Sequence, residues 1–219
     1  YSNETVSELV IGMAIAVLRK IPEGDKAVRS GKTLASAGLM GTELNTKTVG
    51  IIGTGRIGIM TAKLFKTFGC RVLGYSRTHK EKAVDAGIEY VELNQLLAES
   101  DIVSLHIPST EETRNYINKE KIALMKSSAV LINCARGAVV DNAALAEALN
   151  NEKIAGAAID VFDMEPPIPG DYPLLHAKNI LLTPHVAFAS EESMMRRANI
   201  VFKNIYTYIE GNPENIVNY

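Results

Sequence analysis

Residues 48–58 read Thr48-Val49-Gly50-Ile51-Ile52-Gly53-Thr54-Gly55-Arg56-Ile57-Gly58. A short apolar run rich in β-branched residues predicts a strand, three glycines follow at G-x-G-x-x-G spacing, and a segment of helical period begins at once. Such a triplet alone is a weak signal, and its place between a strand and a helix gives it weight. Gly53 permits the tight turn, Gly55 lets the backbone approach a pyrophosphate, and Gly58 lets the helix pack closely on the strand. The helix N-terminus adds free N–H groups and a positive dipole end, so this stretch predicts a dinucleotide-binding turn.

The same alternation continues downstream. Candidate strands run Thr48–Ile52, Arg71–Tyr75, Ile102–Ile107, Ala129–Asn133, Ala157–Val161 and Ile180–Thr183, several of them apolar throughout, as strands covered on both faces are. Helices are predicted over Ile57–Phe68 before Gly69, over Asn94–Glu99, and over Asp141–Asn150 from an N-cap aspartate. The pattern is that of an α/β, doubly wound parallel sheet, the Rossmann fold. Upstream, Thr5-Val6-Ser7-Glu8 has the form of a capping box and opens an amphipathic helix to about Lys20, halted by Pro22 and Gly24. Residues 23–46 carry no strong period and read as a loop or short-helix passage. Ser190 caps a last helix with Met194, Ala198, Val201, Ile205 and Ile209 at helical spacing, ending at Gly211 before Pro213. The expected organisation is a dinucleotide-binding domain over 1–189, with its N-terminal helix, and a returning helix and tail over 190–219.

Composition narrows the partners. The 219 residues are 47% hydrophobic and carry a formal net charge of -2, which gives material for a real core and no basic field for nucleic acid. No apolar run approaches the roughly 20 residues of a membrane span. The two cysteines, Cys70 and Cys134, have no metal-ligand spacing to Cys or His and fit a reducing compartment, so a cytoplasmic protein with a small-molecule partner is expected.

In dinucleotide folds an acid roughly 20 residues past the loop binds a free ribose 2′-hydroxyl. Here Cys70 to Lys80 contains no acid; the second strand ends in Tyr75-Ser76-Arg77-Thr78-His79-Lys80. A carboxylate would repel a 2′-phosphate, whereas Arg77 can pair with one and Ser76 and Thr78 can donate to it. NADP in preference to NAD is the expected cofactor.

Three further strand ends carry polar sets: Asn133-Cys134-Ala135-Arg136-Gly137, Asp160-Val161-Phe162-Asp163-Met164-Glu165-Pro166 and Thr183-Pro184-His185. With GTGRIG and His106-Ile107-Pro108, they resemble the D-isomer-specific 2-hydroxyacid dehydrogenase family from about Thr5 to the C-terminus. The resemblance implies Arg136, Glu165 and His185 as the catalytic set. Reducing a 2-keto acid needs a cation that holds the carboxylate and polarises the keto oxygen, which suits the planar fork of Arg136. It also needs a proton donor, and the ordinary imidazole pKa of ~6.5 lets His185 act in either direction. Glu165 would hydrogen-bond that imidazole and favour its charged form. The implied cofactor contacts are Gly53, Gly55, Arg56, Ile57, Gly58, Ser76, Arg77, Thr78, His106, Pro108, Thr113, Cys134, Asp160 and His185, with Asp160 and the backbone near Cys134 beside the nicotinamide amide.

Taken singly, Arg136, Glu165 and His185 each have an ordinary reading as a surface or loop residue; it is their joint order that carries the assignment. His106 reads as a pocket wall, His79 and His176 as solvated loop residues, Cys134 as packing, and Met194 and Met195 as core or subunit interface. The family also implies a homodimer that uses the first helix, and a substrate domain built mainly from an N-terminal segment, so this chain is expected to hold the cofactor half of an enzyme and largely lack the substrate half. Two other readings stand beside a 2-keto acid reductase: a phosphite-type anion dehydrogenase, which keeps the same three residues, and a non-enzymatic, corepressor-like dinucleotide sensor. Formate dehydrogenases carry glutamine where Glu165 stands.

Overall fold

The computed structural model describes residues 1–164 and 167–217, with residues 36 and 37 described by their backbone alone. Seven parallel strands form one sheet: β1 (Thr48–Ile52), β2 (Arg71–Tyr75), β3 (Ile88–Tyr90), β4 (Ile102–Leu105), β5 (Val130–Asn133), β6 (Gly156–Ile159) and β7 (Ile180–Leu182), in the order β3-β2-β1-β4-β5-β6-β7. The order reverses between β1 and β4, which opens a crevice above the carboxyl ends of those strands, the place where such sheets bind ligands.

The helices are α1 (Asn3–Leu18), α2 (Ile21–Arg29), α3 (Leu34–Ala37), α4 (Arg56–Thr67), α5 (Glu81–Asp85), α6 (Leu93–Glu99), α7 (Lys119–Ile122), α8 (Asn142–Asn150) and α9 (Glu191–Ile209). They cover both faces. Val49 and Ile51 point into one buried cluster with Val10, Met13 and Phe65 from α1 and α4, while Ile52 and Leu105 point into the other with Leu96, Leu97 and Leu145 from α6 and α8. This split follows from the two-residue period of the strands, and each fully buried aliphatic side chain contributes on the order of 1.5–3 kcal/mol.

β1 and β2 match the sequence expectation residue for residue. β4 stops at Leu105, two residues short: His106 still donates its N–H to the Ile52 carbonyl (2.7 Å) but then leads into the loop above the sheet. β3 and α5 escaped prediction because three and five residues are too few to establish a period. The capping box predicted at Thr5 is not formed. α1 already begins at Asn3, and Ser7 lies buried, donating to the Asn3 carbonyl (2.8 Å) and accepting from Thr61 of α4 (3.1 Å). Pro22 ends nothing by itself; it occupies the first turn of α2, where its missing N–H costs no hydrogen bond. The predicted caps Asp141 and Ser190 both form, accepting from Ala144 N–H (3.0 Å) and Ser193 N–H (3.1 Å). α9 presents much of its apolar surface to solvent, including Met195, Phe202, Ile205 and Ile209, so Met194 and Met195 are not core residues of this chain. Among the described residues no helix is long and apolar enough to cross a membrane.

Candidate active site

The three loop glycines meet three different surroundings. Gly53 has φ +101°, and a Cβ there would sit 2.5 Å from the His106 carbonyl oxygen. At Gly58 a Cβ would sit 2.1 Å from the Gly53 carbonyl oxygen, so glycine is what lets α4 close onto β1. A Cβ at Gly55 would meet nothing within 4 Å beyond its chain neighbours and the helix's own backbone. No side chain caps α4 at Gly55, so its first N–H groups are not taken by a capping side chain. Packing therefore demands glycine at 53 and 58, whereas at 55 the fold leaves room for an outside group. The residues present fit a pyrophosphate bound by Gly55, Arg56, Ile57 and Gly58.

The loop itself is held by Tyr90, which sequence reasoning missed. Its hydroxyl pairs with Thr54 Oγ1 (2.7 Å) and accepts from Lys80 N–H (3.1 Å), tying the phosphate loop to the segment after β2. His79 stacks on the same ring at 4.0 Å and so is more than a solvated loop residue. Ser76, Arg77 and Thr78 follow β2 beside the glycine loop. Arg77 Nη1 contacts Glu112 Oε2 at 3.1 Å, across from the turn after β4. Thr113 closes that turn: it donates to the Pro108 carbonyl and accepts from Thr110 N–H, both at 2.7 Å.

A cavity of about 390 Å³ adjoins the loop, and Ile57, His106, Pro108, Cys134, Arg136 and His185 all contribute to its wall. Two of the three predicted catalytic residues thus reach one cavity from separate strand ends. Glu165 lies outside the described residues; two positions earlier in the sequence, Asp163 accepts a hydrogen bond from the Tyr172 hydroxyl (2.6 Å).

Arg136 is exposed and follows β5 through a loop organised by buried Asn133. The Asn133 amide donates to the Arg136 carbonyl (2.9 Å) and its Oδ1 accepts from Ala135 N–H (3.0 Å). His185 sits at φ +56°, and its N–H donates to the Asp160 carbonyl (2.8 Å). The Asp160 carboxylate, fully buried, accepts from Thr183 Oγ1 (2.5 Å), Val186 N–H (2.9 Å) and Ala187 N–H (2.8 Å). Asp160 thus fixes the loop that carries His185 in its left-handed conformation, a local strain of the kind that surrounding structure must hold in place at functional sites. The imidazole meets Phe188 edge-to-face at 5.7 Å.

Cys134 packs against Met13, Sγ to Sδ 3.5 Å, and burial, helped by the Asp160 charge, pushes its thiol up and away from reactivity. His106 pairs with the Ser104 hydroxyl through Nε2 (2.9 Å), and desolvation lowers its imidazole to about 4, so it is a neutral wall at physiological pH. A stability prediction follows. Between pH 6.5 and 4 the unfolded chain binds a proton at His106 that the folded chain refuses, so the contribution present above pH 6.5 falls away toward pH 4, by up to about 3 kcal/mol. Urea unfolding at pH 7.5 and pH 5 should show a smaller loss for His106→Gln than for the native chain; equal losses would remove His106 from the account.

Fold and glycine loop together define a dinucleotide-binding domain, and the comparisons with known proteins agree. The family model for D-isomer specific 2-hydroxyacid dehydrogenase, NAD binding domain, matches residues 11–187. The chain belongs to this family and holds its NAD-binding domain. It is 43% identical over 221 residues to the glyoxylate reductase of Korarchaeum cryptofilum, covering 99% of this chain and 66% of that protein. Among solved structures, D-lactate dehydrogenase from Aquifex aeolicus complexed with NAD and lactic acid is 34% identical with TM-score 0.90, covering 97% of this chain and 68% of that one. An acyclic imino acid reductase, Bsp5, in complex with NADPH and D-Arg is 33% identical with TM-score 0.89, covering 100% and 69%. The chain thus spans about two thirds of the length of these relatives.

Proposed function

We propose that the protein reduces a small 2-keto acid to a D-2-hydroxy acid, glyoxylate or hydroxypyruvate being the favoured class, with NADPH preferred to NADH. The observation that carries this reading is the open space at Gly55 beside a cavity walled by Arg136 and His185. The bound cofactor supplies hydride to the keto carbon. Arg136 pairs with the substrate carboxylate and polarises the keto oxygen, His185 delivers the proton to that oxygen, and Glu165 orients and charges the imidazole. The apolar surface of α9 forms the side turned toward the substrate-binding part. The reductase relative supports this reading over a phosphite-type dehydrogenase or a dinucleotide sensor.

The NADP preference rests on Ser76, Arg77 and Thr78 just after β2, in a segment, 70–80, that itself contains no acid. The exposed apolar residues Ile21, Val28, Leu34 and Met40 after α1 support a homodimer, and the two free, buried cysteines fit a cytoplasmic address. Oxidation of NADPH by the full-length protein, dependent on glyoxylate or hydroxypyruvate, tests the activity. Titrating NADPH and NADH against the protein tests the preference: tighter NADPH binding is expected, and tighter NADH binding would overturn it.

A further inference from the structure

The Arg77–Glu112 pair bridges the segment after β2 and the turn after β4, and neither strand-end motif accounts for it. We propose that Glu112 is a specificity-determining residue that competes with the 2′-phosphate of NADP for Arg77, and so sets how strongly the site prefers the phosphorylated dinucleotide. The proposal rests on the reading that Arg77 receives that phosphate.

Three observations carry it. First, the contact is a single one, Nη1 to Oε2 at 3.1 Å, with the side chains 84% and 77% exposed, so it is weakly held and easily exchanged. A phosphate dianion offers more charge and a bidentate match to the guanidinium fork, and displaces a lone carboxylate contact. Second, Glu112 is presented by a turn that Thr113 closes through Pro108 and Thr110, so its backbone stays within reach of Arg77 and its charge opposes the incoming phosphate. Third, Tyr90 ties Lys80, just after Arg77, to Thr54 of the glycine loop, which limits how far the segment carrying Arg77 can move. NADH brings no 2′-phosphate and leaves the pair intact, so Glu112 acts on the ratio of the two affinities.

The test is fluorescence titration of NADPH and NADH against the native protein, Glu112→Gln and Arg77→Ala at low salt. Glu112→Gln is expected to tighten NADPH about two- to fivefold, with a clearly smaller change for NADH, and the gain should shrink at high ionic strength. Arg77→Ala is expected to weaken NADPH selectively. If Arg77→Ala does so while Glu112→Gln leaves the NADPH to NADH ratio unchanged, the role of Glu112 is overturned and the reading of Arg77 stands. If Arg77→Ala leaves NADPH binding unaltered, that reading fails and the proposal falls with it. Both side chains are exposed, so loss of folding is not expected to mask either result.

Discussion

Replacing His185 by asparagine is expected to lower the proposed keto-acid reduction by about 10²- to 10⁴-fold. Asparagine is the informative substitution because position 185 has φ +56°, a left-handed conformation that asparagine adopts more readily than most other residues. Backbone strain is therefore held nearly constant, and the change isolates the imidazole. The backbone N–H at position 185 would still donate to the Asp160 carbonyl, and the Asp160 carboxylate would still hold Thr183, Val186 and Ala187. Stopped-flow reduction of glyoxylate or hydroxypyruvate separates the outcomes: retained turnover would mean that another group carries the proton.

The second large effect is structural. A Cβ at Gly137 would lie 1.8 Å from the Phe162 carbonyl carbon, 1.9 Å from its oxygen and 2.4 Å from Asp163 N. All three are backbone atoms, so no side-chain rotation relieves the clash. Gly137→Ala should force the loops after β5 and β6 apart and cost more than about 3 kcal/mol, lowering Tm by roughly 10 °C. Since Arg136 precedes Gly137 and the displaced loop leads to Glu165, the surviving folded fraction should also reduce substrate poorly. A Tm within about 2 °C of the native value would show that the loops do not approach as closely as this geometry requires.

The parts of the fold read in advance were those whose signal is local. The apolar runs of β1 and β2, the glycine loop, and the caps at Asp141 and Ser190 each depend on neighbours within a few residues. What failed depended on distant partners or on too little chain. Ser7 and Thr5 look like capping residues, yet Ser7 is claimed by Thr61 and Thr5 faces Ser190 at 3.2 Å, so α1 starts two residues earlier. α2 was hidden by reading Pro22 only as a stop.

The site divides in the same way. Arg136 and His185 were assigned through the resemblance, from motifs that stand at strand ends, and both line the same cavity. The groups that hold them in place were not. Asn133 reads as the end of an apolar strand, and Asp160, assigned by resemblance to the nicotinamide amide, spends its carboxylate on the His185 loop 23–27 residues away. Tyr90 and Glu112 act across 36 and 35 residues on Thr54 and Arg77, with no motif to mark them.

Central to the account is a dinucleotide seated over Gly55 at the head of α4. Isothermal titration of NADPH and NADH against the chain and its Gly55→Val variant tests it most directly. The open space at that glycine predicts that the variant keeps the native Tm, because nothing within 4 Å meets its first added atom, and loses binding of both dinucleotides, because the side chain fills the place of the pyrophosphate. Native-like binding by a folded Gly55→Val protein, or no binding of either dinucleotide by the native chain, would contradict it.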